Sequence, residues 1–146
     1  MTTPPTSPAG PAPLLCGRFP ARAAALKDIR QEVQAALVTQ GLGEAVVRDV
    51  VLAVDEACQN IVRHAYGGKG EGDILVELRR EGEQLVALLR DFAEPAGPDV
   101  IRDREPDPER IGGLGVHLMR TVMDEVALLA PDSGRGNVLR MVKRIT

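Results

Sequence analysis

Val54-Asp-Glu-Ala-Cys-Gln-Asn-Ile-Val-Arg-His-Ala-Tyr66 is the stretch on which the fold assignment turns. It forms the second half of a segment, Glu44 to Tyr66, in which Val47, Val50, Val51, Val54, Cys58, Ile61 and Ala65 recur at helical spacing. One apolar stripe of this kind predicts a helix lying on a hydrophobic core. Gly67 and Gly68 then predict its end, because glycine readily takes the left-handed conformation of a helix stop. Glu56, Asn60 and His64 stand four residues apart, so they run along one side of the helix. At about 100° per residue, Glu56 and Asn60 lie nearly opposite the stripe centred on Val47, Val54 and Ala65. A solvated helix face accounts for that position. Asparagine is a mediocre helix former, however, so its place in a helix interior favours a special task.

Working outward, Leu14 to Phe19 reads as a short strand, and Pro20 supplies a helix start. Ala24, Ala25, Ile29, Val33, Ala36 and Leu37 recur at helical spacing and predict a helix over Ala21 to Thr39, ended by Gly41 and Gly43. Asp73 to Arg79 alternates and Leu85 to Asp91 is nearly all apolar, so two strands are predicted, joined by a hairpin turn at Glu81-Gly82-Glu83. Phe92 to Gly113 has little periodicity and many prolines and charges, which predicts a long functional or disordered loop. Leu114 to Glu125 reads as a helix, and Val126 to Ala130 and Asn137 to Ile145 as closing strands around Pro-Asp-Ser-Gly. Residues 1–13, rich in Pro, Ser, Thr, Gly and Ala, are expected to be a disordered tail, leaving 14–146 as one domain. The element order predicts an α+β fold, a two-layer α/β sandwich with helices on one face of a mixed, largely antiparallel sheet.

Composition narrows the function. The 146 residues are 44% hydrophobic and 27% charged, as in an ordinary soluble domain that needs no disulfide or metal staple. Net charge is −3, aromatic content is 2% and Trp is absent, which speaks against a nucleic-acid-binding surface. Cys16 and Cys58 match no zinc or redox spacing, and Cys58 reads as a small buried hydrophobe. No apolar run is long enough to span a membrane, and the N-terminus lacks the layout of a secretory signal. A cytoplasmic, reduced protein is expected.

Three segments carry chemistry. An amide oxygen such as that of Asn60 can ligate Mg²⁺, and a carboxylate such as that of Glu56 can accept a hydroxyl proton. Asp91 ends an apolar strand just before the long loop, where a carboxylate could accept a hydrogen bond from an exocyclic amine; a local turn is the simpler alternative. Gly112-Gly113-Leu114-Gly115 precedes a helix whose exposed N–H groups attract phosphate, although a flexible helix entry explains it as well. No Gly-Lys-Ser/Thr follows, so it is not a Walker A motif.

In this order the segments are far more specific. V-D-E-A-C-Q-N-I-V-R-H-A-Y resembles the N box of the GHKL ATPases, whose ATP-binding unit is the Bergerat, or histidine-kinase-like ATPase, fold. The form E-A-x-x-N-x-x-x-H-A-Y is similar to that of the anti-sigma-factor serine/threonine kinases. G-G-L-G-V-H-L-M-R-T-V-M-D-E-V resembles that family's glycine box and following helix, and G-N-V-L-R-M-V-K its last strand. The resemblance implies that Asn60 coordinates the Mg²⁺ bridging the ATP phosphates and that Glu56 is the general base toward a partner's serine. It implies that Asp91 binds adenine, that Gly113 and Gly115 line the phosphates, and that about Glu94 to Gly112 is the ATP lid. Arg110 would touch the terminal phosphate or the partner, an exposed loop arginine with neither role being an equal alternative. His64 has a packing or helix-end role.

The same resemblance implies an anti-sigma factor in a partner-switching circuit. Its partners would be a sigma factor and a small STAS-type anti-sigma-factor antagonist, the antagonist being phosphorylated on Ser or Thr. A homodimer is implied as well. Ala93 departs from the family's D-x-G pattern, and an alanine forced to positive φ there would be strained. This departure speaks for the alternative, a non-catalytic, ATP-weak module of the same fold that sequesters a regulatory partner. A lone histidine-kinase ATP domain ranks below both, because no helical segment with an acceptor histidine precedes the domain.

Overall fold

The computed structural model describes residues 12–68, 71–93, 113–129 and 136–145. The elements in chain order are β1 (Leu15–Pro20), a 3-10 turn (Ala23–Ala25), α1 (Leu26–Thr39), α2 (Glu44–His64) and a second 3-10 turn (Ala65–Gly68). Then come β2 (Asp73–Glu81), β3 (Gln84–Asp91), α3 (Gly113–Val122), β4 (Glu125–Leu129) and β5 (Asn137–Arg144). The strands form one five-stranded sheet in the order β1-β2-β3-β5-β4. All four of its pairings are antiparallel, so the expected sheet is realised in its purely antiparallel form.

Strand periodicity sorts the sheet into two faces. Ile74, Val76 and Leu78 of β2, Leu85, Ala87 and Leu89 of β3 and Met141 of β5 belong to the buried core. The register aligns them in rows: Val76 faces Leu89, and Leu78 faces Ala87, which faces Met141. Against this face lie Ile29, Val33 and Leu37 of α1, and Val47, Val50, Ala53, Val54, Ala57 and Cys58 of α2. Met119 of α3 and Met123 just beyond it complete the core. Each fully buried Val, Leu or Ile contributes about 1.5–3 kcal/mol relative to its exposed state. Val86 and Val142, also buried, sit opposite each other on the other face, outside the core cluster.

The two largest boundary differences from the sequence expectation both arise because sheet pairing overrides local preference. Pro20 is not a helix start. It pairs with Asp73 as the last residue of β1, and Arg22 is still extended, so α1 begins only at Leu26. The last helix stops at Val122 rather than Glu125, because the Asp124 N–H bonds to the Val142 carbonyl and draws the chain into β4. The expected lid, Arg110 and the Pro-Asp-Ser-Gly turn lie outside the described residues, as does nearly all of the expected tail. Among the described residues, no helix is long and apolar enough to cross a membrane.

Candidate functional site

The two ends of the sheet fix the direction of α2. At one end Lys143, which pairs with Leu85, reaches up to α2: its Nζ lies 3.0 Å from Asp49 Oδ2 and donates to the Val122 carbonyl at 2.6 Å. One ammonium thus joins β5, α2 and the last residue of α3. At the other end Asp91 pairs with Ile74 on one side and Asn137 on the other. The C-terminal end of α2 arrives there, for the Tyr66 hydroxyl accepts from the Phe92 N–H at 2.6 Å and donates to the Asp73 carbonyl at 2.7 Å. Hence α2 runs from the Lys143 end to the Asp91 end. Helix α3 packs against α2, and its last residue is held at the Lys143 end.

Asp49, Glu56 and Asn60 fall within about 40° of one another around α2. Asp49 marks that side as the one toward β5 and α3. Moving from Asp49 to Asn60 advances about 16 Å along the axis, toward the Asp91 end. Glu56 and Asn60 are partly buried rather than fully solvated, and neither side chain has a hydrogen-bond partner among the described residues. Polar groups so placed on an otherwise well-packed helix are available to a ligand. The other flank of α2 is braced against α1. Arg30 donates to Asp55 at 3.0 Å, Gln59 donates to Asp55 at 2.8 Å, and Arg63 donates to Gln59 at 2.9 Å. Cys58, between Glu56 and Asn60 in sequence, points into the core. Burial first, and the Asp55 charge second, push its thiol far up, so it stays neutral and takes no part in chemistry.

Asp91 is 4% exposed, and it is the one buried charged residue among those described. Its Oδ1 accepts from the Ala93 N–H at 3.0 Å and from Asn137 Nδ2 at 3.0 Å. Oδ2 receives only the longer limb of the same amide, at 3.3 Å. A carboxylate has about four acceptor sites, so Oδ2 keeps capacity for an external donor. Gly136 lets the last strand come this close: it has φ +82°, and a Cβ there would collide with the Asp91 carbonyl. The sequence marks Asp91 as a candidate but not Asn137 as its partner, for which its one signal is Gly136-Asn137 opening the last strand.

Ala93 carries no backbone strain. Among the described non-glycine residues, Tyr66 has the positive φ, at 55°, and Ala93 does not. The Ala93 N–H serves Asp91 instead, so an alanine there is compatible with a formed site. Gly113 and Gly115 open α3, while Arg110 lies outside the described residues.

The residues also fit a magnesium nucleotide. No group of three or more His, Cys, Asp or Glu among the described residues could hold a metal by itself. Mg²⁺ ordinarily keeps several waters and takes substrate phosphates with only one or two protein ligands, usually carboxylates; the donors that α2 offers are the Asn60 amide oxygen and, one turn before it, Glu56.

Comparison with known proteins agrees with the fold. Residues 19–143 match the model of the histidine kinase-like ATPase domain. The chain is similar to the serine-protein kinase RsbW of Listeria monocytogenes, 36% identical over 98 residues covering 60% of this chain and 61% of that one. It is 31% identical to the serine-protein kinase RsbW of Bacillus pumilus over 124 residues, 77% of this chain and 76% of that one. The chain thus spans about three fifths of the first of these relatives. Among solved structures, a Mycobacterium tuberculosis protein with RsbU and RsbW domains superposes with a TM-score of 0.68, at 18% identity, over 92% of this chain and 33% of that one. The SiaB–SiaC complex of Pseudomonas aeruginosa gives 0.65, at 22% identity, over 89% and 90%. An antiparallel sheet under three helices and the match over residues 19–143 have one common account: the chain belongs to the histidine kinase-like ATPase domain family, with the RsbW serine-protein kinases among its relatives.

Proposed function

We propose that this protein is an anti-sigma factor with ATP-dependent serine/threonine kinase activity toward a small STAS-type antagonist. The observation that carries the reading is Asp91. It is a buried carboxylate with an open acceptor position, at the sheet end toward which α2 carries Glu56 and Asn60. Asp91 Oδ2 accepts the exocyclic amine of adenine, and the amides at the start of α3, with Gly113 and Gly115, favour the phosphates. The Asn60 amide oxygen would hold Mg²⁺, which would supply charge neutralisation at the phosphates. Glu56 takes the proton of the acceptor hydroxyl, and catalysis is otherwise positioning and electrostatics. The family resemblance assigns Arg110 to the terminal phosphate or the partner, or to neither as an exposed loop arginine, and assigns 94–112 to an ATP lid; all of these lie outside the described residues.

Phosphorylation adds negative charge to the antagonist and disfavours its complex with the kinase, which leaves the kinase free to hold a sigma factor. The names of the RsbW relatives support the kinase activity, and the SiaB–SiaC complex supports a protein partner. The family resemblance also implies a cytoplasmic unit, a homodimer, and a single domain over 14–146. Incubation with γ-labelled ATP, Mg²⁺ and the cognate antagonist tests the proposal. Label on an antagonist Ser or Thr is expected. No transfer together with no ATP binding would leave the non-catalytic module.

A further inference from the structure

We infer that the Tyr66 hydroxyl sets the point at which β3 leaves the sheet, and so positions Asp91 for the nucleotide base; the inference rests on the nucleotide reading above. The β2–β3 ladder pairs residue by residue down to Ile74 with Asp91. The next rung would join Asp73 and Phe92. It is not made directly, because the Tyr66 hydroxyl occupies it. The phenol oxygen accepts from the Phe92 N–H at 2.6 Å and donates to the Asp73 carbonyl at 2.7 Å, with the Asp73 N–H a further donor at 3.3 Å. A side chain from the end of α2 thus replaces a backbone rung. With Phe92 diverted, the chain turns, and the Ala93 N–H folds back onto Asp91 Oδ1.

The surroundings are shaped for that ring. Tyr66 takes φ 55°, costly for a bulky residue and persistent only where neighbours over-determine it. Gly72, at φ +86°, leaves the space into which any Cβ would strike the Tyr66 ring. The Phe92 side chain is held apart, with Arg18 and Arg90 at 4.8 and 5.0 Å from its ring centre. Nothing in the core requires a hydroxyl at Tyr66, since phenylalanine would fill the same volume. The hydroxyl alone prevents the ladder from closing one rung further and rotating the backbone that aims Asp91. Tyr66 is therefore a positioning residue, acting on the nucleotide through Asp91.

The test is Tyr66→Phe in the full chain, with ATP affinity measured in Mg²⁺ by titration and with thermal midpoints recorded beside it. The control is Val33→Ala, a core truncation in α1 that lowers stability far from this end of the sheet. At a temperature where all variants are folded, Tyr66→Phe is expected to weaken ATP about five- to tenfold, one hydrogen bond's worth, while Val33→Ala leaves affinity unchanged. In the phosphotransfer assay the loss should fall on the KM for ATP, with kcat within about twofold. Gly72→Ala, which displaces the ring from outside, should weaken ATP in the same sense. Wild-type affinity in folded Tyr66→Phe overturns this inference alone. Failure of the wild type to bind ATP overturns the nucleotide reading, and this inference with it.

Discussion

Asn137 donates its amide to both carboxylate oxygens of Asp91, at 3.0 and 3.3 Å, across the register pair that joins the central strand to β5. The bond orients a buried carboxylate and leaves Oδ2, which takes only the longer limb, with acceptor capacity to spare. Asn137→Ala is expected to cost about 1.5–3 kcal/mol of stability, the range for a hydrogen bond to a charged group, and to weaken ATP roughly tenfold. Urea melts and ATP titration read the two effects. Gly136→Ala should destabilise more, since it meets both a positive φ and the Asp91 carbonyl. Unchanged ATP affinity in Asn137→Ala would remove the orienting role.

Glu56 and Asn60 should separate cleanly by assay. Asn60→Ala is expected to abolish the Mg²⁺-dependent part of ATP binding while the thermal midpoint stays within a few degrees. Glu56→Gln should keep ATP affinity within about twofold and lower phosphotransfer by about 10²–10⁴, the usual contribution of a general base. Equal metal-dependent binding by wild type and Asn60→Ala would exclude the amide as ligand.

Lys143 joins three elements through Asp49 and the Val122 carbonyl, with side chains only 18% and 22% exposed for the ion pair. Lys143→Met takes the donor from the Val122 carbonyl and leaves the half-buried Asp49 carboxylate only the longer, exposed pairing with Arg48 at 3.8 Å. A loss of about 1–3 kcal/mol is expected, because the half-buried carbonyl and carboxylate lose their close donor. A double-mutant cycle with Asp49→Leu should return a favourable coupling; additivity would show that the bridge contributes nothing.

Cys58 and Cys16 should differ in reactivity. Cys16 is exposed and Cys58 is buried, its thiol pushed well above the usual range. A thiol reagent at pH 8 should modify one cysteine per native chain and two in denaturant. Because the folded thiol stays neutral while the unfolded one ionises at its ordinary value, stability should fall as pH rises above that value, and Cys58→Ala should lessen the fall. Rapid modification of Cys58 in the native protein would contradict this.

Much of this protein was legible in its residues alone. Helical spacing from Val47 to Ala65 announced α2 and put Glu56 and Asn60 off its apolar stripe, and alternation in β2 announced a hairpin. These signals are local, since periods of 3.6 and 2 are written in consecutive residues. What only the tertiary structure decided is non-local: β1 extends through Pro20 because Asp73 lies opposite, and α3 stops at Val122 because Val142 captures Asp124. Asn137, 46 positions from Asp91, became its partner through strand register, and Tyr66 reached the end of β3 only because α2 crosses the sheet in that direction. No local pattern encodes such pairings, because they are fixed by which distant backbones share a ladder and a core.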